Sequence, residues 1–239
     1  MKLKKEENVK SPERRKLFTV IGVVVTVVVV LTVIAFTTMH RDFDAQGYVR
    51  ATLDQYFQGA VDEIAGFVTE NSKSDHYELY EEQIEEFVEN NITSDIEISE
   101  ELEQKYTNLC KEIFHAMKYN IKPAKKESGS VYKVEVEYQA SNVFLRFVQN
   151  LKTEQQRLLA KAQNVEYTGT KEENMLQMEN EFLTNSYELL KTAHQEMEYG
   201  EKQTFTFEVK RGEKGLFCME EMAVSDFIIK ILRLDEIQD

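Results

Sequence analysis

Proline and cysteine are scarce in this chain, two of each among 239 residues, and there are only nine glycines. Pro12 and Pro123 with so few glycines supply no Pro/Gly/Ser linker, so no domain boundary is marked. Residues 41–239 are therefore expected to fold as one domain of ordinary size. Two cysteines, Cys110 and Cys218, exclude a disulfide framework and any CxxC or Cys/His zinc spacing. An even pair outside a membrane suits a single bridge, and two separately buried free thiols are the simpler expectation. The four histidines, His40, His76, His115 and His194, are scattered and none sits in a helical HExxH, so no metal is expected, nor any cofactor. A Gly-rich phosphate loop and a GxSxG turn are missing too, which leaves nucleotide and hydrolase chemistry without its usual geometry. Basic charge is short beyond residue 41, where the net charge is near −18. Nucleic acid, whose phosphates demand Lys/Arg clusters, is not an expected partner.

What the chain does have is a charge-free run from Leu17 to Phe36, LFTVIGVVVTVVVVLTVIAF. At ~1.5 Å per helical residue the run spans about 30 Å, the hydrocarbon thickness of a bilayer. In lipid every backbone N–H and C=O needs an internal partner, so valine-rich or not the run is expected to be helical. Residues 1–16 carry seven Lys/Arg against three Glu, a balance of +4 at the membrane edge. The positive-inside rule then keeps the N-terminus cytoplasmic and places the acidic remainder outside. A cleaved signal peptide is the competing reading, but its apolar region is usually ~7–15 residues, so a permanent anchor is expected. The expected divisions are a cytoplasmic basic tail at 1–16, a transmembrane anchor at 17–38 and an extracytoplasmic domain at 39–239. The anchor would meet lipid through Leu17, Phe18, Ile21, Val25, Val29, Leu31, Ile34 and Phe36.

Apolar spacing of three and four predicts one helix over 46–70, with Tyr48, Val49, Leu53, Tyr56, Phe57, Ile64 and Val68 on its inner face. Asp75 and Glu78 read as a capping box opening a second helix, whose Glu81, Glu82, Glu85, Glu86 and Glu89 form a solvated acidic face. Ser99 caps a third, carrying Leu102, Tyr106, Leu109, Cys110, Ile113, Phe114 and Met117. The period then changes to two: Tyr132, Val134, Val136 and Tyr138 alternate with polar residues, a half-buried strand partnered by a strand holding Tyr119 and Ile121, where Pro123 marks an edge or the strand's end. Two helices of about 25 residues follow over 142–199, paired antiparallel, with Gly169 as C-cap of the first and a Thr170/Glu173 capping box opening the second. Phe205, Phe207 and Val209 begin a closing β-hairpin whose return strand holds Leu216, Phe217 and Met219. Phe227, Ile228, Ile231 and Leu232 mark a short last helix that cannot cross a bilayer.

The fold class expected is α+β: a single N-terminal transmembrane helix, then helices packed on a small curved antiparallel sheet of about four strands, with a long helical hairpin inserted between two β-hairpins. The chain over 46–71, 119–139 and 203–234, above all the closing hairpin Thr204 to Glu221, TFTFEVKRGEKGLFCMEE, resembles the nuclear-transport-factor-2-like superfamily. That resemblance implies an antiparallel sheet curled around helices into a cone, as in membrane-anchored bacterial domains. The inserted pair at 142–199 departs from the usual cone.

Chemistry is thin. His194 and Glu198 stand at i, i+4, the spacing of an acid/base pair and, more commonly, of a surface contact. The 25 Phe and Tyr residues fall mainly on periodic faces, where core packing explains them. Asn91-Ile92-Thr93 matches a glycosylation acceptor, relevant only in a eukaryotic secretory pathway. No catalytic residues are assigned. The expected function is a binding or assembly module of a bacterial envelope, single-pass and non-enzymatic, with a small-molecule-binding cone domain, including a cryptic enzyme, as the alternative. Helices this long outrun strands of about 17–20 Å, so the end of the pair near Gly169 is expected to project. There Val165, Tyr167, Met175 and Leu176 are expected to be exposed to a protein partner or a second copy.

Overall fold

A computed structural model of the chain describes residues 43–67, 73–93, 98–164, 166–212, 216–220 and 222–237. The anchor expected at 17–38, with its eight named side chains, lies outside the described residues. Among those that are described, no helix is long and apolar enough to cross a membrane.

Helix α1 (Ala45–Gln58) opens with the Asp44 carboxylate accepting the Gly47 N–H at 2.8 Å and closes at Gly59. Gly59 has φ +62°, and a Cβ there would stand 2.9 Å from the Tyr80 ring, so the position needs glycine on two grounds. The single helix expected over 46–70 is thereby broken: α2 is the short turn Val61–Ile64. Helix α3 (Lys73–Val88) is already under way at Asp75, which lies in its first turn and serves the helix dipole there instead of capping. It runs into a π-helical turn, Glu89–Thr93, in which Asn91 donates to the Phe87 carbonyl and Thr93 is buried. Helix α4 (Glu100–His115) is capped by Ser99 as expected, its hydroxyl accepting from the Leu102 N–H at 3.3 Å.

The sheet is antiparallel and curled, in the order β1-β3-β4-β5, where β1 is Lys118–Ile121, β3 Val131–Ser141, β4 Tyr199–Arg211 and β5 Phe217–Met219. Strand β2 (Lys125–Ser128) continues β1 along the same edge of β3. Pro123 stands in the break between them, where its missing N–H costs no ladder bond. In β3 the alternation is complete: Tyr132, Val134, Val136 and Tyr138 are buried and the residues between them are half-exposed. Between β3 and β4 the chain leaves the sheet for helices α5 (Val143–Gln163) and α6 (Lys171–Gln195), which pack on each other, and returns so that β3 and β4 pair along nearly their whole length. The inserted helical hairpin and the sheet of about four strands are as the sequence predicts.

Helix α7 (Ala223–Ile231) lies on the inner face of the sheet. Its fully buried Phe227 meets five rings: Tyr119 of β1, Tyr138 of β3, Phe205 and Phe207 of β4, and Phe57 of α1, with centroids 5.3 to 6.4 Å away. These rings pack α7 and α1 directly on the inner face of the sheet. Tyr119 also donates its hydroxyl to Asp54 at 2.6 Å, tying β1 to α1, and burial pushes its phenol pKa up. A second aromatic group, Phe43, Tyr48, Phe67, Tyr132 and Phe217, closes the far end of the sheet, with Phe43 stacked on Phe217 at 4.1 Å and 6°.

Candidate interaction surface on the helical hairpin

Phe144, Phe147, Leu151 and Leu158 recur along α5 and are buried; in α6 the buried set is Phe182, Leu183, Ser186, Leu190 and Ala193. The base of the hairpin meets helices more than strands. Phe144 packs edge-on against Phe87 of α3, and Tyr187 edge-on against Tyr106 of α4, whose hydroxyl donates to the Leu183 carbonyl at 3.0 Å.

One position of the α5 seam is charged. Glu154 is buried between Leu151 and Leu158, and Arg157, one turn on, clasps it through two hydrogen bonds of 2.8 Å. Asn185 of α6 donates to the same carboxylate at 2.7 Å. The guanidinium reaches across to Glu181 at 2.7 Å, which also accepts from Lys161 at 2.6 Å and from the Tyr167 hydroxyl at 3.0 Å. Two carboxylates and two cations thus balance, with planar bidentate geometry at the centre. Arg157, then Lys161, hold the Glu181 carboxyl down at about 2, and Arg157 lowers that of Glu154 against the opposing effect of burial.

This network decides what the tip presents. Tyr167, expected to be exposed, is 8% exposed, because its hydroxyl is drawn to Glu181 and Lys161 lies over its ring at 4.8 Å. Asn174 fixes the loop further, donating to the Tyr167 carbonyl and accepting from the Gly169 N–H. Gly169 therefore caps no helix: α5 ends at Gln163 with Asn164 as its cap, whereas the Thr170/Glu173 box does open α6. Val165 lies outside the described residues. Met175 and Leu176 are 56% and 59% exposed, and Leu159, which periodicity did not single out, is 49% exposed. Met175 and Leu176 stand seven residues before Phe182 and Leu183, so they continue two buried rows of α6 beyond the point where α4 covers them.

The other sequence candidates are not drawn together. Glu198 pairs with Arg146 at 2.8 Å and with Asn142, while His194 of the supposed pair keeps a buried Nδ1 with no hydrogen bond among the described residues. The acidic face of α3 is solvent-exposed at Glu82, Glu85 and Glu86 and continues at Glu89 of the π-helical turn, while Glu81 pairs with Lys111 of α4. No group of three or more His, Cys, Asp or Glu suited to a metal occurs among the described residues. Both cysteines are free; Cys110 is buried, with its thiol pKa pushed up by that burial, and Cys218 is half-buried, donating toward the Lys210 carbonyl. His76 is buried under α1, with Gln55 beside its Nδ1 at 3.4 Å, and burial lowers its pKa against the pull of Asp75.

No family model matches the chain, and no curated protein matches it. Among solved structures, it is similar to the crystal structure of a candidate lipoprotein, ycdA, from Bacillus subtilis, at 13% identity and a TM-score of 0.47. The match takes in 79% of this chain, which spans little more than half, 56%, of that one.

Proposed function

We propose that this chain is a single-pass, membrane-anchored extracytoplasmic domain of a bacterial envelope, working as a binding or assembly module. The observation that carries the reading is the charge-free run Leu17–Phe36, with seven basic residues before it and an acidic body after it. Only six residues separate Phe36 from Phe43, which is already stacked on Phe217, so the body would sit close to the bilayer. Its surface charge keeps it off anionic lipid and leaves contact to local patches. The patch that fits a protein partner best is the outer hairpin, where Met175 and Leu176 of α6 extend packed apolar rows into solvent beside a loop already fixed by its ion network. The sheet curled over helices supports placing the domain beside nuclear-transport-factor-2-like cones, with α7 packed on the inner face and the hairpin added.

The test is protease added to intact cells, read with antibodies to the two ends. The expected result is loss of the mass beyond residue 41 with survival of the N-terminal tail. Protection of the whole chain until the membrane is opened, or recovery of the chain as a soluble secreted protein lacking residues 1–36, would overturn the reading.

A further inference from the structure

Strand β4 has thirteen residues, and its two sides are used unequally. On one side β3 pairs with it from Val131↔Lys210 to Ser141↔Tyr199; on the other, β5 pairs only with Val209, Lys210 and Arg211. Backbone alternation shows which groups this leaves at the open edge. The Lys122 N–H donates to the Glu135 carbonyl at 2.8 Å, so Glu135 turns its backbone groups toward β1 and β2. By the two-residue period Tyr132, Val134, Val136 and Tyr138 then face β4, exchanging bonds with Val209, Phe207, Phe205 and Gln203. The residues between them, Lys202, Thr204, Thr206 and Glu208, point theirs the other way. An independent bond agrees: the Gly212 N–H donates to the Leu216 carbonyl at 2.7 Å, so Gly212, Lys210 and every second residue before them face the β5 side. No described strand pairs with that side between Lys202 and Glu208, and Lys202, Thr204 and Thr206 are exposed. The stretch KQTFTFE is rich in β-formers and holds no proline to block pairing on that side.

We infer that this edge pairs with the same edge of a second copy of the chain, antiparallel about a two-fold axis at Phe205. The sequence is self-complementary in that register. Lys202 falls opposite the second copy's Glu208, Thr204 opposite its Thr206, and Phe205 opposite itself, so all four outward-facing residues find partners and both ends carry opposite charges. Shifting the register by two residues in either direction, the smallest shift that keeps the same backbone groups facing, pairs only three of them and sets Lys202 or Glu208 against threonine. Charge favours this site over others: the chain beyond residue 41 is strongly acidic and repels its own copies, whereas residues 202–208 are neutral. Before Lys202 the pairing with β3 slips by one residue between Gln139 and Ser141, and such a bulge bends β4 out of line where the second copy's β5 would run. The two sheets then join into one, and pairing stops at two copies because, among the described residues, each copy offers one stretch that is self-complementary in this way.

The inference is independent of the hairpin surface and of membrane topology. The test uses the full chain in detergent, with association followed by sedimentation and each variant's fold checked by thermal unfolding. Wild type is expected at twice the chain mass. Lys202→Glu and Glu208→Lys, each alone, place like charges together and weaken association by roughly tenfold or more, while the double variant Lys202→Glu/Glu208→Lys restores it. Thr206→Pro removes an N–H that the single chain does not use and is expected to give a folded monomer. Met175→Ser with Leu176→Ser leaves the dimer intact. A monomeric wild type, single reversals without effect, or a double variant that fails to recover would overturn the inference, the last by pointing to another register or to an extended segment of a different protein on this edge.

Discussion

The two ends of this molecule are held by opposite kinds of force. Around Phe227, five aromatic rings and the aliphatic residues of α1, β3, β4 and α7 exclude water. In the outer hairpin the corresponding place is taken by Glu154, Arg157, Glu181, Lys161 and Tyr167, joined by hydrogen bonds of 2.6 to 3.0 Å. The first arrangement stabilises in proportion to buried area and is indifferent to pH and salt. The second depends on charge states and geometry, and contributes order in a segment too narrow to build an apolar core. A hairpin extension can therefore leave Met175, Leu176 and Leu159 in solvent while its backbone stays fixed.

Replacing the hub should show the largest effect. Phe227→Ala is expected to cost about 3–5 kcal/mol in denaturant unfolding, with the sheet and α1 lost together, because the ring contacts three strands and a helix at once. Glu154→Ala comes next, at about 1–3 kcal/mol, since it strips Arg157 and Asn185 of a buried acceptor. Its effect should be confined to the hairpin, visible as faster amide exchange beyond Leu151, with the exchange of β3 and β4 unchanged. An equal loss of protection in the sheet would erase the contrast between the two regions.

Acid sharpens the same contrast. Glu154 and Glu181 have carboxyl pKa values lowered by folding, so the stability they contribute is complete above the unfolded value near ~4.3 and is lost as pH falls from there, for Glu181 toward about 2. Hairpin protection should fall in that range before the sheet opens. His76 acts at a higher pH. Burial lowers its pKa from 6.5, so the unfolded chain binds the extra proton and stability declines as pH falls below 6.5. His76→Gln should flatten the stability profile in that window; an unchanged slope would show that α3 does not hold this imidazole neutral.

Much of the fold was legible because its signals are periodic. The alternation of Tyr132 to Tyr138, the Ser99 and Thr170/Glu173 caps and the two long helices are each encoded by neighbours two to four residues apart. Gly59 was harder to read, since a lone glycine in an apolar period looks tolerable until Tyr80 of another helix proves to occupy the space of its Cβ. The hairpin site was half legible. Met175 and Leu176 stand out as apolar residues on a polar tip, but Tyr167 looked the same and is buried by Glu181, fourteen residues away in sequence. Glu154 interrupts an apolar seam where charge normally marks a solvent face; its i, i+3 spacing to Arg157 was the only local hint. The open edge of β4 follows from pairing, which no single segment contains.

The smallest expected change in stability belongs to the most telling variant. If the hairpin's outer face is a surface for a partner, Met175→Ser with Leu176→Ser in the full chain should shift unfolding by no more than about 0.5 kcal/mol. A photo-crosslinking residue at position 176 in native membranes should give a defined protein adduct that the same residue at position 183, buried under α4, does not. Unchanged stability with that adduct is the result the account predicts. A loss of several kcal/mol would show that these side chains are core, and no adduct at 176 would show that the surface meets nothing; either contradicts it.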